Sequence, residues 1–143
     1  MTTRTASAAQ AHAVAKGIRV GTWCVTSTFS MGTGQSCSAG DVIQMIKVPA
    51  NSSVVFVGLR STYAQSVVTV GDGLSDARYI GAMSTSAAHA ASNFVSGFPQ
   101  TGASYTYSTD DTIDIAISLT SITSILGAFY LTAILTMDPS NYS

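Results

Sequence analysis

Glutamate is absent from this sequence, and charge of either sign is scarce. All seven acidic residues are aspartates, only Lys16 and Lys47 are lysines, and charged residues fill 9% of the 143 positions. A soluble domain usually carries about 25%. Either much of the surface is hidden against partners, or hydroxyl and amide groups replace the missing charges. The six basic residues, Arg4, Lys16, Arg19, Lys47, Arg60 and Arg78, are scattered, and the net charge is −1. Nucleic-acid binding needs a clustered basic face, so it is not expected. Long apolar runs are missing too. The most apolar stretch, residues 122–137, is short and interrupted by Thr, Ser and Gly, which argues against a membrane helix. No apolar segment follows Met1, Thr2, Thr3, Arg4 and Thr5, so a signal peptide is not expected.

Groups that do chemistry are equally thin. Only His12 and His89 are histidines, the first in an Ala-rich stretch and the second among Ala and Ser. An active site needs titratable groups gathered together, and both histidines read as solvated. The segment Gly34-Gln35-Ser36-Cys37-Ser38 approximates a nucleophile elbow, but it lacks the closing glycine and the strand-to-helix setting. Two cysteines, Cys24 and Cys37, are too few for a disulfide framework. They bridge strands only in an oxidising compartment, and free, half-buried thiols are the expected state. Asp72, Ser75 and Asp76 lie close together, as do Asp110 and Asp111, without the spacing of a calcium loop. Turn formation accounts for these aspartates. Gly71-Asp72-Gly73 is followed by neither Lys nor a helix, so it is no phosphate loop. No catalytic residue, cofactor or metal site is assigned, and an enzyme is not expected.

What the chain does have is β grammar. Residues 6–16 are the one helix-prone window, because Ala favours helices and Lys16-Gly17 makes a stop. Their apolar side chains are nearly all Ala, too small to bury much. Residues 1–16 are therefore read as a flexible or partly helical N-terminal arm, and residues 17–143 as one all-β domain. Strands are expected over 18–29, 41–48, 53–63, 67–70, 77–82, 113–119 and 128–137. In the third, Val55, Val57 and Leu59 are assigned to one face and Val54, Phe56 and Arg60 to the other. The period-2 alternation of Ile113, Ile115, Ile117 and Leu119 against Asp114, Ala116 and Ser118 predicts one buried face. In the last strand Phe129, Leu131 and Leu135 oppose Tyr130, Thr132 and Thr136. Strands at this spacing, without alternating helices, predict a β-sandwich or jelly roll. Residues 84–104 form a long connection carrying Phe94, Val95, Phe98 and Pro99. It is either a lid over one end of the sandwich or a loop that docks on another subunit. Tyr105 and Tyr107 point to one face, as a sugar-binding or stacking pair or as an ordinary cross-strand pair.

The residues Gly40-Asp41-Val42-Ile43, Ile46-Lys47-Val48-Pro49-Ala50 and Val68-Thr69-Val70-Gly71-Asp72 open a pattern of turns and strands. It continues through Tyr79-Ile80, Tyr105-Thr106-Tyr107, Asp111-Thr112-Ile113, Gly127 and the last apolar strand. Over residues 40–138 the chain resembles small structural proteins of tailed bacteriophages. The resemblance implies a β-sandwich on the virion, commonly a head decoration (cement) protein on the capsid lattice, often trimeric. Relatives also serve in the neck, tail or fibres. The family carries no catalytic residues, and the Ala-rich arm lies outside the shared pattern.

The expected role is thus a multi-copy decoration protein that binds between major capsid subunits. It would be assembled in the host cytoplasm, with no cofactor, nucleic acid or membrane as partner. The candidate assembly contacts are Arg4, His12 and Lys16 in the arm and Phe94 and Phe98 in the long connection. The competing expectation is a sugar-binding sandwich with a shallow groove floored by Trp23, Tyr105 and Tyr107.

Overall fold

The computed structural model describes residues 2–5, 21–63, 66–85, 89–92, 105–119, 121–122 and 127–137. In chain order its strands are β1 (Thr3–Thr5), β2 (Gly21–Phe29), β3 (Val42–Val48), β4 (Ser53–Ser61) and β5 (Val67–Gly71). They continue with β6 (Ile80–Ser84), β7 (His89–Ser92), β8 (Tyr105–Thr106), β9 (Asp111–Leu119) and β10 (Phe129–Met137). No helix occurs among the described residues. The first sheet runs β1-β3-β9-β5-β6 and the second β2-β10-β4-β7, with β8 also pairing β4. The β1–β3 pair is parallel and every other pair antiparallel.

From β2 to β5 the chain alternates between the sheets. Then β9 enters between β3 and β5, and β10 enters between β2 and β4. The last two strands are therefore central in their sheets. The inner faces close on one apolar cluster that includes Ile43, Val57, Val70, Ile80, Ile115, Phe129 and Leu131. Burying such side chains contributes about 1.5–3 kcal/mol each. In β10 the alternation is complete. Phe129, Leu131, Ala133, Leu135 and Met137 face inward, and Tyr130, Thr132, Ile134 and Thr136 face outward.

Elsewhere bulges break the period of two. The β4–β10 register slips opposite Ile134 and Leu135, which leaves Val55 as the extra residue. Val54, Val57 and Leu59 are consequently the buried set, and Val55 and Phe56 are half-buried. The expected grouping of Val55 with Val57 and Leu59, opposite Val54, is corrected by that insertion. A slip between Gln44 and Ile46 likewise lets Ile43, Met45, Ile46 and Val48 all be buried. In β9, Ile113, Ile115 and Ile117 face the core as expected. Leu119 does not; it is 60% exposed at the strand's end, while Asp114 and Ala116 on the outer face are buried.

The segment expected as a strand over 77–82 begins at Ile80, after a turn. Within the long connection, His89–Ser92 adds a strand to the edge of β4; Phe94, Val95, Phe98 and Pro99 lie outside the described residues. The turn at 49–52 forms as expected, with Asn51 at φ 65, a left-handed conformation that Asn tolerates well. Of the arm, residues 2–5 are described, and they lie in the sheet. Thr3, Arg4 and Thr5 pair with Val42, Ile43 and Gln44. Asp41 fastens them by accepting hydrogen bonds from the backbone N–H of Thr2 and of Ser38, both at 2.9 Å. Those two bonds hold its carboxyl below the usual range.

Candidate functional site

The shortness of aspartate explains part of this site. Among the described residues, Asp41, Asp72 and Asp111 accept backbone N–H groups from within three positions, and Asp110 accepts from the distant Ala50. A carboxylate on one methylene reaches local backbone donors that a longer side chain overshoots. The turn after β5 shows the result. Oδ1 of Asp72 accepts from the N–H of Leu74 at 3.0 Å and of Ser75 at 2.9 Å. Oδ2 accepts from Nε of Arg78 and, at 2.8 Å, from the hydroxyl of Tyr107. The Tyr107 oxygen in turn accepts from the Tyr79 hydroxyl at 2.5 Å. Arg78 lies over the Tyr105 ring, 3.8 Å from its centroid, and Tyr105 meets Tyr107 edge-on at 4.9 Å.

Burial pushes the Asp72 carboxyl up, but its donors outweigh burial and hold it below the ordinary range. Burial also raises both Tyr79 and Tyr107, whose hydroxyls stay protonated. Both carboxylate oxygens of Asp72 and the hydroxyls of Tyr79 and Tyr107 are engaged, so the cluster works as a clamp. It ties the 72–78 turn of the first sheet to the β8 segment of the second.

The 72–76 turn also roofs part of the first sheet's outer face. A Cβ on Gly71 would lie 1.8 Å from the Ser75 carbonyl oxygen, so only glycine lets the turn fold back this closely. Gly71 pairs with Asp114 in β9, and Asp114 pairs with Gln44 in β3. One register step away run Thr69, Ala116, Val42 and Thr3. Beside this roof lies an open groove of about 840 Å³, lined by Thr3, Val42, Gln44, Asp114, Ala116 and the residues of the turn.

Asp114 is 7% exposed, and its Oδ1 has no hydrogen-bond partner; the hydroxyl of Thr69 is likewise buried and unpartnered. Burial drives the Asp114 carboxyl up to about 7, and the charges of Asp111 and Asp72 push the same way against a hydrogen bond from Thr112. At the groove's lip Leu74 is 81% exposed.

Of the residues expected to make assembly contacts, Arg4 is described. Its Nη2 donates to the Ser36 carbonyl at 2.7 Å, fastening β1 to the 31–40 connection. His12, Lys16, Phe94 and Phe98 lie outside the described residues. Cys24 and Cys37 are both free, Cys24 exposed on β2 and Cys37 buried. The aromatic floor expected for sugar binding is not formed. Tyr107 is buried with its hydroxyl committed, Tyr105 is covered by Arg78, and Trp23 is half-buried against the core. The groove itself escaped sequence reasoning. Its one signal was an aspartate inside a strongly apolar strand, Ile113-Asp114-Ile115.

No protein-family model and no curated protein matches this chain. Three solved structures do. A chain of the Ralstonia phage GP4 capsid aligns at TM-score 0.74 and 11% identity, over 95% of this chain and 98% of that one. A chain of the cyanophage Pam1 capsid asymmetric unit aligns at 0.63 and 20%, over 86% and 91%. A chain of the acid-stable capsid of Helicobacter pylori bacteriophage KHP30 aligns at 0.55 and 13%, over 82% and 89%. Each alignment spans more than four fifths of both chains. The two-sheet fold of this protein is one also found in chains of phage capsids.

Proposed function

We propose that this protein is a non-catalytic structural protein of a phage virion, a decoration (cement) subunit present in many copies on the head. The observation that carries the reading is the alignment, nearly end to end, with a chain of a phage capsid. The outer face of the second sheet supports it. Thr22, Thr26 and Thr28 of β2 stand beside Thr136, Thr132 and Tyr130 of β10. Hydroxyls meet at 3.0 Å between Thr26 and Thr132, and Arg60 lies 5.3 Å from the Tyr130 ring centroid. Such a surface adheres through apolar area and hydrogen bonds, the ordinary means of a subunit interface.

In this reading a rigid jelly-roll-like sandwich straddles neighbouring major capsid subunits and opposes their separation. A homotrimer would cover strand edges that otherwise invite edge-to-edge pairing. The experiment is co-sedimentation of the purified protein with heads lacking decoration, alongside its mass in solution. Saturable binding at a fixed ratio to the shell protein, by a trimer, is the expected result. A monomer that leaves every shell bare would end the proposal.

A further inference from the structure

The groove on the outer face of the first sheet contains a feature that the fold alone does not need. A strand residue on an outer face can point to water, yet Asp114 is roofed by the 72–76 turn with one carboxylate oxygen unpartnered. Buried polar groups are almost always hydrogen-bonded, and a charged one left alone carries the largest desolvation penalty. The hydroxyl of Thr69, in the neighbouring row of the same face, is a second buried polar atom without a partner. Asp114 lines the groove itself, and Thr69 pairs with Ala116, another residue of its lining.

The charges around Asp114 set the sign of what fits. From the β5–β6 connection come Asp72, whose carboxylate is already filled by four donors, and Asp76; from β9 itself comes Asp111. Arg78 is committed to Asp72. Lys47 of β3 stands opposite Thr112 and lines a separate recess with Asp110 and Asp111. Arg4 of β1 is bonded to Ser36. The groove's own lining contains no basic residue. A divalent cation would need several oxygen ligands, and no cluster of three ligating side chains occurs among the described residues. A single side-chain cation asks for less.

We propose that this groove receives a lysine or arginine side chain of a different polypeptide, with Asp114 as its counter-charge and Leu74 packing against the apolar stem. A long cationic side chain suits a site with an acid at its end and apolar atoms at its lip, because its methylenes bury while its head is paired. The proposal rests on the virion reading only in supposing a neighbouring polypeptide, and its test needs no capsid.

The test is an NMR titration of the 15N-labelled protein with N-acetyl-lysine methylamide and N-acetyl-arginine methylamide. The neutral norleucine analogue is the control. Amide shifts confined to residues 73–76 and 114–118 are expected with the cationic probes. Their affinity should fall about tenfold or more in Asp114→Asn, which preserves shape but removes the charge. Acidifying the wild type from about pH 8.5 to about pH 5.5 should weaken binding in the same way, since the carboxyl becomes neutral. Equal binding of norleucine, unchanged affinity in the variant, or no shift at the groove would each overturn the assignment. So would self-association of the free protein at alkaline pH that Asp114→Asn abolishes, because the occupant would then be a second copy.

Discussion

A carboxyl that is easier to bury neutral than charged makes stability depend on pH in a direction opposite to most aspartates. Asp114 sits near 7 in the folded chain against an ordinary 3.8. Its contribution to stability is complete below about pH 4 and declines as pH rises through 7, because only the unfolded chain ionises it freely. Asn mimics the protonated form at every pH. The melting temperature of Asp114→Asn should therefore exceed that of the wild type by little at about pH 4 and by progressively more up to about pH 7, with no further widening above it. At about 1.4 kcal/mol per unit the gap reaches a few kcal/mol at most. Thermal melts across that range measure it; a gap constant with pH would mean the carboxyl is not held neutral. Sequence reasoning saw Asp114 as the solvent-facing partner of an alternating strand. The alternation is real, but the covering of its outer face comes from a turn some forty residues earlier in the chain. No local pattern encodes that contact. Tyr107 was hidden for the same reason, since its hydroxyl is spent on Asp72, 35 positions away.

Strands were legible where period two runs unbroken and illegible where a bulge intervenes. β10 keeps its alternation throughout, and its inward set was read correctly. β4 carries an extra residue at Val55, and a sequence window offers no means to tell a bulge from a strand buried on both faces. Pairing was beyond reach as well. The insertion of β9 and β10 between earlier strands is set by burial across the whole molecule, not by turns joining neighbours. It has a consequence for folding. A chain ending at residue 110 lacks the centre of both sheets, so β3 and β5 lose their shared partner, as do β2 and β4. That fragment should show no cooperative thermal transition by circular dichroism, whereas the full chain should melt in one step. A cooperative melt of the fragment would require the outer strands to pair directly, contrary to the observed topology. Because these pairings span so much sequence, refolding should also be slow for a chain of this size.

On the scale of the whole molecule, the lack of charge and the capsid-like fold lead to one expectation about attachment. Exposed ion pairs weaken as salt rises, since screening cuts in over about 10 Å at 0.1 M, but apolar contacts and buried pairs are nearly indifferent to it. A chain with 9% charged residues and a threonine-lined outer sheet has few exposed pairs to lose. Even a cation on Asp114 would be shielded by the turn above it. Under the proposed decoration role, the affinity for undecorated heads should accordingly change less than about threefold between roughly 0.05 and 0.5 M sodium chloride. Co-sedimentation at several salt concentrations gives the answer directly. A steep loss of binding would shift the weight of attachment to exposed basic groups, for which Lys16 and Arg19 are the nearest source in the sequence. The neutral outer face would then account for solubility and packing density alone, and the adhesive surface would have to be sought at the amino-terminal end.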